Sequence, residues 1–550
     1  MRSNAVAKML VFIYHLAMSF ARSSPIPDAT KVASMDAAAI VGLLQTQALK
    51  IDTLEHQLEW FKRQVFGQKS ERALPHVEAH QMHLGELAPP PTQADTDAPL
   101  TVPEHKRRKR VADFSDDKTP SQFFDEARVP VQTIEVPNRA TVGLAPEQFE
   151  IIGHKVSYRL AQRPGSNVVL KYVRPVVKLL ETQELYCPGA PEGVIQNSRA
   201  DVSFIVGVMV DKFEWHLPLY RQHLRLVAQG FKLSRQWLTQ LVTQGAQLLE
   251  PIYEALLESI RTSRVKAMDE VPIKAGQSKR EGGQGKMGSG YFWPIYGEHD
   301  EVCFPYFESR RAEHVQQALG LLHQSDSVLL TDGYAAYSRY AKLTGVTHAQ
   351  CWTHTRRGFF EAQDVEPEVA AQAIEQIAAM YKVEEHIRHV NLKGEAKRLH
   401  RLMHSKPVVE QFFAWVDDQL ARQGLLPSNP MTKALVYARD RRIGLQIYLS
   451  DADVPIDTNH LERALRVIPM GRKNWLFCWT ELGAKHAGIV QSLIVTCRLH
   501  GIDPTTYLID VLQRVSTHPA SRVAELTPRM WKQHFADNPM RSDLYRSATP

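Results

Sequence analysis

Residues 265–270, VKAMDE, and residues 327–333, SVLLTDG, are two short apolar runs that end in acidic residues. Short apolar runs bounded by turn residues are typical of buried strands. The first run ends at Asp269 and Glu270, and the second ends at Asp332 before Gly333, where the chain must turn. If the two strands are adjacent and parallel, Asp269 and Asp332 lie side by side at one edge of a sheet.

The residues around these runs predict a mixed α/β domain. GYFWPIYG at 290–297 and EVCFPYFES at 301–309 predict two strands, joined by a hairpin turn at 298–300. The next segments predict a helix at 312–324, a strand at 347–352 and the start of a helix at 353–363. The complete order is three strands, a helix, a strand, a helix and a strand. This is the order of a ribonuclease H-like domain, whose carboxylates lie at strand ends.

A third acidic residue follows a long helical stretch. Residues 367–450 predict helices and are interpreted as an insertion before the last helix of the core. That last helix carries Glu462 about one turn from its start, so its side chain can lean back toward the strand ends. Asp457 is expected to precede the helix, with Thr458 or Asn459 as its cap.

Three carboxylates from separate elements can support metal-dependent cleavage of phosphodiesters. Two divalent ions can activate the attacking oxygen and stabilise the leaving oxygen, and Mg²⁺ (or Mn²⁺) prefers oxygen ligands. The predicted catalytic and metal-binding residues are therefore Asp269, Asp332 and Glu462, with two ions. A single Asp at a strand end is more often a turn residue or a helix cap, so the prediction depends on the three acids together. The sequence has no GxxxxGK[ST] phosphate loop, which argues against chemistry driven by ATP.

Other polar residues near these acids leave alternatives open. Glu270 is either a group that supports a metal ligand or a surface acid. His348, Cys351 and His354 have no second Cys or His pair at matching spacing, so they are interpreted as structural or DNA-facing.

Basic and aromatic residues after Glu462 are candidates for DNA contacts. Arg463 and Arg466 share one helix face, and GRKNW combines Arg472, Lys473 and Trp475, which suits phosphate contacts and base stacking. The alternative is a solvated basic face with one core tryptophan.

Upstream, residues 217–262 predict a helix, a turn at Gly230 and a second helix that Ser234 can cap. This is a helix-turn-helix outline, in which Arg235 is a further candidate for a DNA contact. Many such helix pairs in proteins are packing units only.

The N-terminal part predicts a coiled coil and a linker. An a/d pattern extends over seven apolar positions, interrupted at Gln47: Ile40, Leu44, Ile51, Leu54, Leu58, Phe61 and Val65. An amphipathic helix packed on its own domain is the alternative. The following residues carry APPPTQADTDAP and a basic run at 105–110, which could contact phosphates or be solvated.

The bulk composition and the first residues limit where the protein acts. Met1 to Ser24 resembles a signal peptide, but Met35 opens the helical pattern and is the expected start. The net charge of +6 permits a nucleic-acid partner without requiring one. Five cysteines without a CxxC pair favour the reducing cytoplasm over a disulfide framework, and no membrane association is expected.

Several longer motifs resemble transposases of the insertion sequence 66 family. They occur in the family's order: AMDEVPIK at 267–274, LLTDGYAAYSRY at 329–340, CWTHTRRGFFEA at 351–362, IDTNHLERALR at 456–466 and GRKNWLF at 471–477. The likeness covers about residues 36–535. It implies a ribonuclease H-like catalytic domain, the triad Asp269, Asp332 and Glu462, and divalent metal. The expected partners are DNA (element ends and target DNA) and possible small accessory proteins encoded by the same element. The predicted coiled coil and the joining of two DNA ends also predict a homo-oligomer.

Two departures from the family pattern are visible. The family usually carries CxxC pairs in a zinc-binding segment, whereas residues 131–200 keep only Cys187 and His154, so zinc is not expected. The last catalytic motif reads TNHLER where the family has two asparagines before the Glu-Arg pair.

The expected function is DNA transposition. The alternatives are a ribonuclease H-like nuclease without strand transfer and an inactive DNA-binding derivative. The expected fold is an α/β ribonuclease H-like catalytic core with a large helical insertion, an N-terminal coiled coil and a helix-turn-helix region. The expected boundaries are an untranslated or signal-like extension at 1–34, a coiled coil at 35–71, a disordered basic linker at 72–130, a degenerate zinc-finger-like segment at 131–200, a helix-turn-helix region at 201–262, the catalytic domain at 263–480 with its insertion at 367–450, and a helical C-terminal region at 481–550.

Overall fold

The computed structural model describes residues 124–125, 129–163, 165–276, 287–321, 326–422 and 426–545. The predicted extension at 1–34, the predicted coiled coil at 35–71 and nearly all of the predicted linker lie outside these residues. The strands are β1 (Val131–Glu135), β2 (Phe149–Arg163), β3 (Ser166–Leu179), β4 (Leu185–Tyr186), β5 (Val265–Met268), β6 (Val271–Gly276), β7 (Met287–Phe292), β8 (Ile295–Tyr296), β9 (Val302–Cys303), β10 (Tyr306–Phe307), β11 (Val328–Thr331) and β12 (Thr347–Gln350).

The helices alternate with these strands and then follow them. They are α1 (Val202–Phe213), α2 (Leu219–Ala228), α3 (Arg235–Thr262), α4 (Glu313–Leu319), α5 (Ala335–Thr344), α6 (Trp352–Glu361), α7 (Pro367–Val390), α8 (Gly394–His404), α9 (Lys406–Ala421), α10 (Pro430–Asp440), α11 (Arg442–Ser450), α12 (Asn459–Leu465), α13 (Val467–Trp475), α14 (Glu481–Leu499), α15 (Pro504–Arg514) and α16 (Pro528–His534). None of the helices in the described ranges combines the length and the apolar character that a membrane span requires.

A small β-sheet occupies the stretch that was expected to resemble a zinc finger. β2 and β3 form a long antiparallel hairpin, while β1 pairs parallel to β3 on its other side and β4 extends that edge. The buried apolar side chains on one face of this sheet, among them Ala161, Leu170 and Tyr172, pack together in a small core. His154 lies on β2 opposite Pro175, and Cys187 follows β4.

The helix pair predicted upstream of the acids is present as α2 and α3. The Ser234 hydroxyl accepts a hydrogen bond from the Trp237 backbone N–H at 3.1 Å, which confirms its predicted capping role. α3 has 28 residues and packs along α1 and α14, burying a continuous apolar face. It ends at Ser263, directly before β5, so the helix pair is packed into the same core as the acidic strands.

The central sheet has the strand order β12-β11-β5-β8-β9. β5, β11 and β12 are parallel, and β8 and β9 are antiparallel to their neighbours. β8 and β9 are joined by a hairpin turn over 298–300, as predicted from the sequence.

The prediction of two uninterrupted strands over 290–309 was wrong. Each breaks at a proline, Pro294 in the first and Pro305 in the second, because proline has no N–H for the ladder. The outer halves, β7 and β10, join β6 in a separate three-stranded sheet. β6 itself was not predicted.

Five helices, α7 to α11, occupy residues 367–450 between the sheet and α12. Arg401 of α8 is fully buried and makes two hydrogen bonds with Glu384 of α7, at 2.7 and 2.9 Å. Its guanidinium also donates to the carbonyl oxygens of Tyr448, Asp451 and Val454. The insertion is therefore tied to the segment that leads into α12.

The C-terminal helix α14 closes the open edge of the central sheet. The backbone N–H groups of Val302 and Phe304 donate to the hydroxyls of Thr496 and Ser492, at 3.2 and 2.9 Å. Buried N–H groups need such acceptors, so α14 completes the edge at β9.

Candidate active site

Asp269 and Asp332 directly follow two neighbouring parallel strands. β5 pairs with β11 in the register Ala267 to Leu330, so the two strands end at the same edge, as the sequence predicted. One carboxylate oxygen of each residue accepts a local backbone N–H at 2.8 Å, from Glu270 and from Tyr334 respectively. Each carboxylate keeps its second oxygen for another partner.

Glu462 reaches this edge because α12 is attached to the end of the third parallel strand, β12. The Cys351 sulfur accepts hydrogen bonds from the backbone N–H and the hydroxyl of Thr458, both at 3.3 Å. The backbone N–H of Trp352 donates to the Ile456 carbonyl at 3.2 Å. Glu462 lies in the first turn of α12, as expected.

The expectation that Thr458 or Asn459 caps α12 was wrong. The Thr458 hydroxyl donates to Cys351 and makes no bond to the helix. Asp457 instead accepts the backbone N–H of Asn459 at 3.0 Å, its side-chain amide at 2.6 Å and the Thr353 hydroxyl at 3.2 Å. Asp457 is 8% exposed, so it is a buried, fully engaged residue that joins α6 to α12.

Asp269 and Glu462 line one cavity of about 200 Å³ together with five other residues: His354, Arg357, Leu465, Arg466 and Pro469. Asp332 does not line it, but its charge acts on Asp269. Burial is the largest of the causes that together raise the pKa of Asp269 to about 7. The carboxylate of Glu270 is the second, and Asp332 and Glu462 contribute less. The cavity therefore gathers negative charge at a poorly solvated place.

Glu270 is not the surface acid that the sequence left open. Its carboxylate is buried and accepts hydrogen bonds from the Tyr337 hydroxyl and from Arg310, whose Nε lies 2.7 Å away. Burial raises its pKa, and the hydrogen bond from Tyr337 opposes that shift. Glu270 thus places Arg310 and the start of α5 beside Asp269.

Two residues of the cavity, His354 and Arg357, were not in the predicted set. They lie one turn apart in α6, directly after the third parallel strand. His354 Nε2 is 3.9 Å from Glu462 Oε1, and burial lowers the pKa of this imidazole. Their position after a strand end is the signal that could have identified them.

His348 and Cys351 have structural positions. His348 Nε2 lies 2.8 Å from the Thr331 hydroxyl, and burial lowers its pKa to about 4. Cys351 bonds to Thr458, as described above.

The predicted DNA-contacting residues lie in three places. Arg466 lines the cavity, and Arg463 is exposed on α12. Arg472 donates to the Pro272 carbonyl at 2.8 Å, and Lys473 beside it is exposed. Arg235 begins α3, with its guanidinium 5.5 Å from the Tyr220 ring.

Trp475 is half-buried. Its indole lies over Gly471, where a Cβ atom would clash with it. This contact leaves less of its ring open to a base than the sequence suggested.

The donor chemistry of the cavity suits a divalent cation. In the described ranges, no three His, Cys, Asp or Glu side chains are already arranged to hold a metal ion. However, the carboxylates of Asp269 and Glu462 face one cavity, and Glu462 Oε1 is buried without a hydrogen-bond partner. Oxygen ligands of this kind are those that Mg²⁺ prefers, and a cation would balance the buried negative charge.

Two proteins of one bacterial strain are similar to this chain over most of its length. A protein of *Sinorhizobium fredii* (strain NBRC 101917 / NGR234) named "Uncharacterized protein y4hP" is 26% identical over 514 residues, covering 88% of this chain and 90% of the relative. A second protein of that strain, "Uncharacterized protein y4jD", is 27% identical over 501 residues, covering 87% of this chain and 94% of the relative.

Three family models match the chain. One described as "Transposase C of IS166 homeodomain" matches residues 53–115, and one described as "IS66 C-terminal element" matches residues 492–529. The model "Transposase IS66 family" matches residues 197–486, which include all three predicted acids. The transposase and homeodomain matches imply DNA binding. The chain belongs to the IS66 family of transposases.

Proposed function

We propose that the protein cuts the ends of an insertion sequence and joins them to target DNA, with Asp269, Asp332 and Glu462 as the catalytic, metal-binding residues. The observation that carries this proposal is the position of the acids. Two follow adjacent parallel strands, and the third faces the same cavity as the first. This is where an Asp–Asp–Glu enzyme needs its carboxylates.

The sheet supports a ribonuclease H-like core. Its three parallel strands lie beside an antiparallel hairpin, in an order that places the first strand, β5, at the centre. In the order of the chain, the helices α7 to α11 lie between the strands of this sheet and α12, as the proposed insertion requires.

The chemistry proceeds in two balanced steps. Water attacks a phosphorus at the element end, the P–O3′ bond breaks, and the leaving 3′ oxygen takes up a proton while the attacking water loses one to solvent. The freed 3′ hydroxyl then attacks a target phosphorus, and the target P–O3′ bond breaks as the new one forms. Each step exchanges one P–O bond for another, so no ATP is needed.

The chain's own residues bind and orient the reacting groups. Divalent Mg²⁺ or Mn²⁺, proposed as two ions, would activate the attacking oxygen and stabilise the leaving oxygen when bound. Asp269, Asp332 and Glu462 would hold the cations. Arg357 and Arg466 line the same cavity and can neutralise the phosphate that enters it.

The partners follow from this chemistry. Synapsis of two DNA ends requires at least two protomers, and the predicted coiled coil at 35–71 is the proposed contact. Replacing Leu54 and Leu58 with Glu should lower the oligomer mass in light scattering, and an unchanged mass would contradict this role.

The five free thiols suit action in the cytoplasm.

A strand-transfer assay in Mg²⁺ tests the proposed function. The wild-type protein should produce both nicked element ends and joined products, and a chelator should abolish both. Asp332→Asn should abolish both, whereas Asp440→Asn, an exposed acid on α10, should not. Nicking without joining would identify a nuclease. DNA binding without either product would identify an inactive DNA-binding protein.

A further inference from the structure

Trp479 is the most exposed aromatic side chain in the described part of the chain. It is 81% exposed, whereas Trp475 four residues earlier packs on its own helix. A large apolar ring in water is unfavourable unless a partner covers it. Leu476 and Leu482 on either side of it in sequence are also exposed, so this segment is a candidate contact surface for a partner.

The backbone holds this indole in a fixed position. α13 ends at Trp475, and Leu476 has φ 63° and ψ −49°, with the Phe477 N–H donating to the Trp475 carbonyl at 2.7 Å. This is a classic γ-turn, a rare and strained conformation for a bulky residue. Such strain persists where the surrounding structure fixes the chain.

Strand β6 fixes this part of the chain through backbone hydrogen bonds. The Cys478 N–H donates to the Lys274 carbonyl at 2.9 Å, and the Gly276 N–H donates to the Cys478 carbonyl at 3.0 Å. Gly276 is needed because a Cβ atom there would clash with the Trp479 carbonyl. The Phe477 ring packs edge-on against Trp479, with 5.0 Å between the centroids. A rigid aromatic ring binds a partner at low cost in conformational entropy.

The charges around Trp479 favour a polyanion. Between residues 472 and 485 the cations are Arg472, Lys473 and Lys485, and Glu481 is the single acid. Exposed Leu476 and Leu482 add apolar surface on either side. An aromatic ring among cations is the arrangement by which proteins stack on the bases of unpaired DNA while binding its phosphates.

The position of Trp479 connects it to the cavity that holds Asp269 and Glu462. Arg466 and Pro469 line that cavity, and α13 leads from them to the γ-turn. The nine residues of α13 span about 14 Å, and the four residues from Trp475 to Trp479 add at most about 14 Å. The whole path is thus at most about 28 Å, the length of roughly eight nucleotides. A DNA strand with its end in the cavity can thus pass over Trp479.

We propose that Trp479 is a stacking site for an unpaired base of the DNA strand within about eight nucleotides of the cleaved phosphodiester. The inference rests on the proposed function for the identity of that strand. The stacking itself requires neither metal nor the three acids.

Binding measurements in the Glu462→Gln background separate the two proposals, because no cleavage accompanies them. The probes are a blunt 20-base-pair duplex and the same duplex with an eight-nucleotide single-stranded 3′ extension. Trp479→Ala should weaken binding to the extended probe about tenfold and leave binding to the blunt probe unchanged. Trp479→Phe, which keeps a ring, should retain most of the affinity.

Trp215→Ala is the matched control. Trp215 is 65% exposed and packs near Arg498, at the opposite end of α14, about 25 Å along that helix. This variant should bind both probes like its parent.

Equal affinities of the Trp479→Ala variant and its parent, or an equal loss on both probes, would overturn base stacking. A fall in oligomer mass for Trp479→Ala would overturn it too, because the indole would then contact a second copy of the chain. If Glu462→Gln still cleaves DNA, the catalytic proposal fails while the stacking result stands.

Discussion

Two clusters of buried charge lie within the same domain, and they are balanced in opposite ways. In the insertion, Arg401 and Glu384 neutralise each other, and three carbonyl oxygens satisfy the remaining guanidinium donors. At the strand ends, Asp269 lies near other acids, and Glu462 Oε1 has no hydrogen-bond partner. The first cluster is fully hydrogen-bonded within the protein, whereas the second leaves a carboxylate oxygen of Glu462 without a partner. This difference is the reason that the second cluster, and not the first, is proposed as the active site.

The largest expected effect is on catalysis. Glu462→Gln keeps the shape of the side chain and removes the charge that would hold a cation, so DNA cleavage should fall roughly a thousandfold. DNA binding and the melting temperature should stay near those of the wild type. Gel-based cleavage and binding assays check this, with Glu410→Gln, an exposed residue of α9, as the control. Normal cleavage by Glu462→Gln would mean that the third catalytic residue lies elsewhere.

Substitutions in the Arg401–Glu384 pair of the insertion should change the stability of the protein. Arg401→Gln leaves the Glu384 carboxylate buried without its partner, which should lower the free energy of unfolding by about 3–5 kcal/mol. The double variant Arg401→Met with Glu384→Leu removes both charges and should be more stable than the single variant. Urea unfolding measures both. A double variant less stable than Arg401→Gln would contradict the pairing.

Asp457 tests whether a buried acid near the cavity is structural. Because it accepts three hydrogen bonds, Asp457→Asn should cost about 1–2 kcal/mol, more than the loss of a simple cap. Cleavage at low temperature should remain within about tenfold of wild type. Complete loss of cleavage in a folded Asp457→Asn protein would place this residue among the catalytic acids.

The smallest expected effect is a gain in stability. The pKa of Asp269 is raised, so in chelator the folded protein should lose stability as pH rises from about 4 to about 7. Asp269→Asn removes this penalty and should raise the free energy of unfolding at pH 8 by about 1 kcal/mol. Thermal melts across this pH range measure it. A destabilised variant would show that the carboxylate is balanced within the protein.

The sequence predicted the positions of the three acids in the fold where local pattern was sufficient. Apolar runs ending in Asp269 and Asp332 identified two strand ends, and helical geometry placed Glu462 one turn into α12. Tertiary contacts were not visible in that pattern. Glu270 is buried because Tyr337, 67 residues later, donates to it.

Other features of the structure were not predicted from the sequence, for similar reasons. His354 was considered only for the spacing of metal ligands, so its position after the third parallel strand was missed. The two segments over 290–309 have strong strand patterns, but each is interrupted by a proline. The strands on the two sides of each proline belong to different sheets. The Arg401–Glu384 pair depends on how the insertion helices pack, which their sequence periodicity does not specify.

The closure of the sheet by α14 has a consequence for protein synthesis. The ribosome completes β5 and β11 long before Ser492 and Thr496, whose hydroxyls accept the N–H groups at the β9 edge. Until those residues emerge, the edge stays open to water and to other strands. A nascent or truncated chain that ends before α14 is therefore expected to lack a completed catalytic sheet, even when it already carries all three acids. If the protein cuts DNA as proposed, we expect that activity only from chains translated past α14.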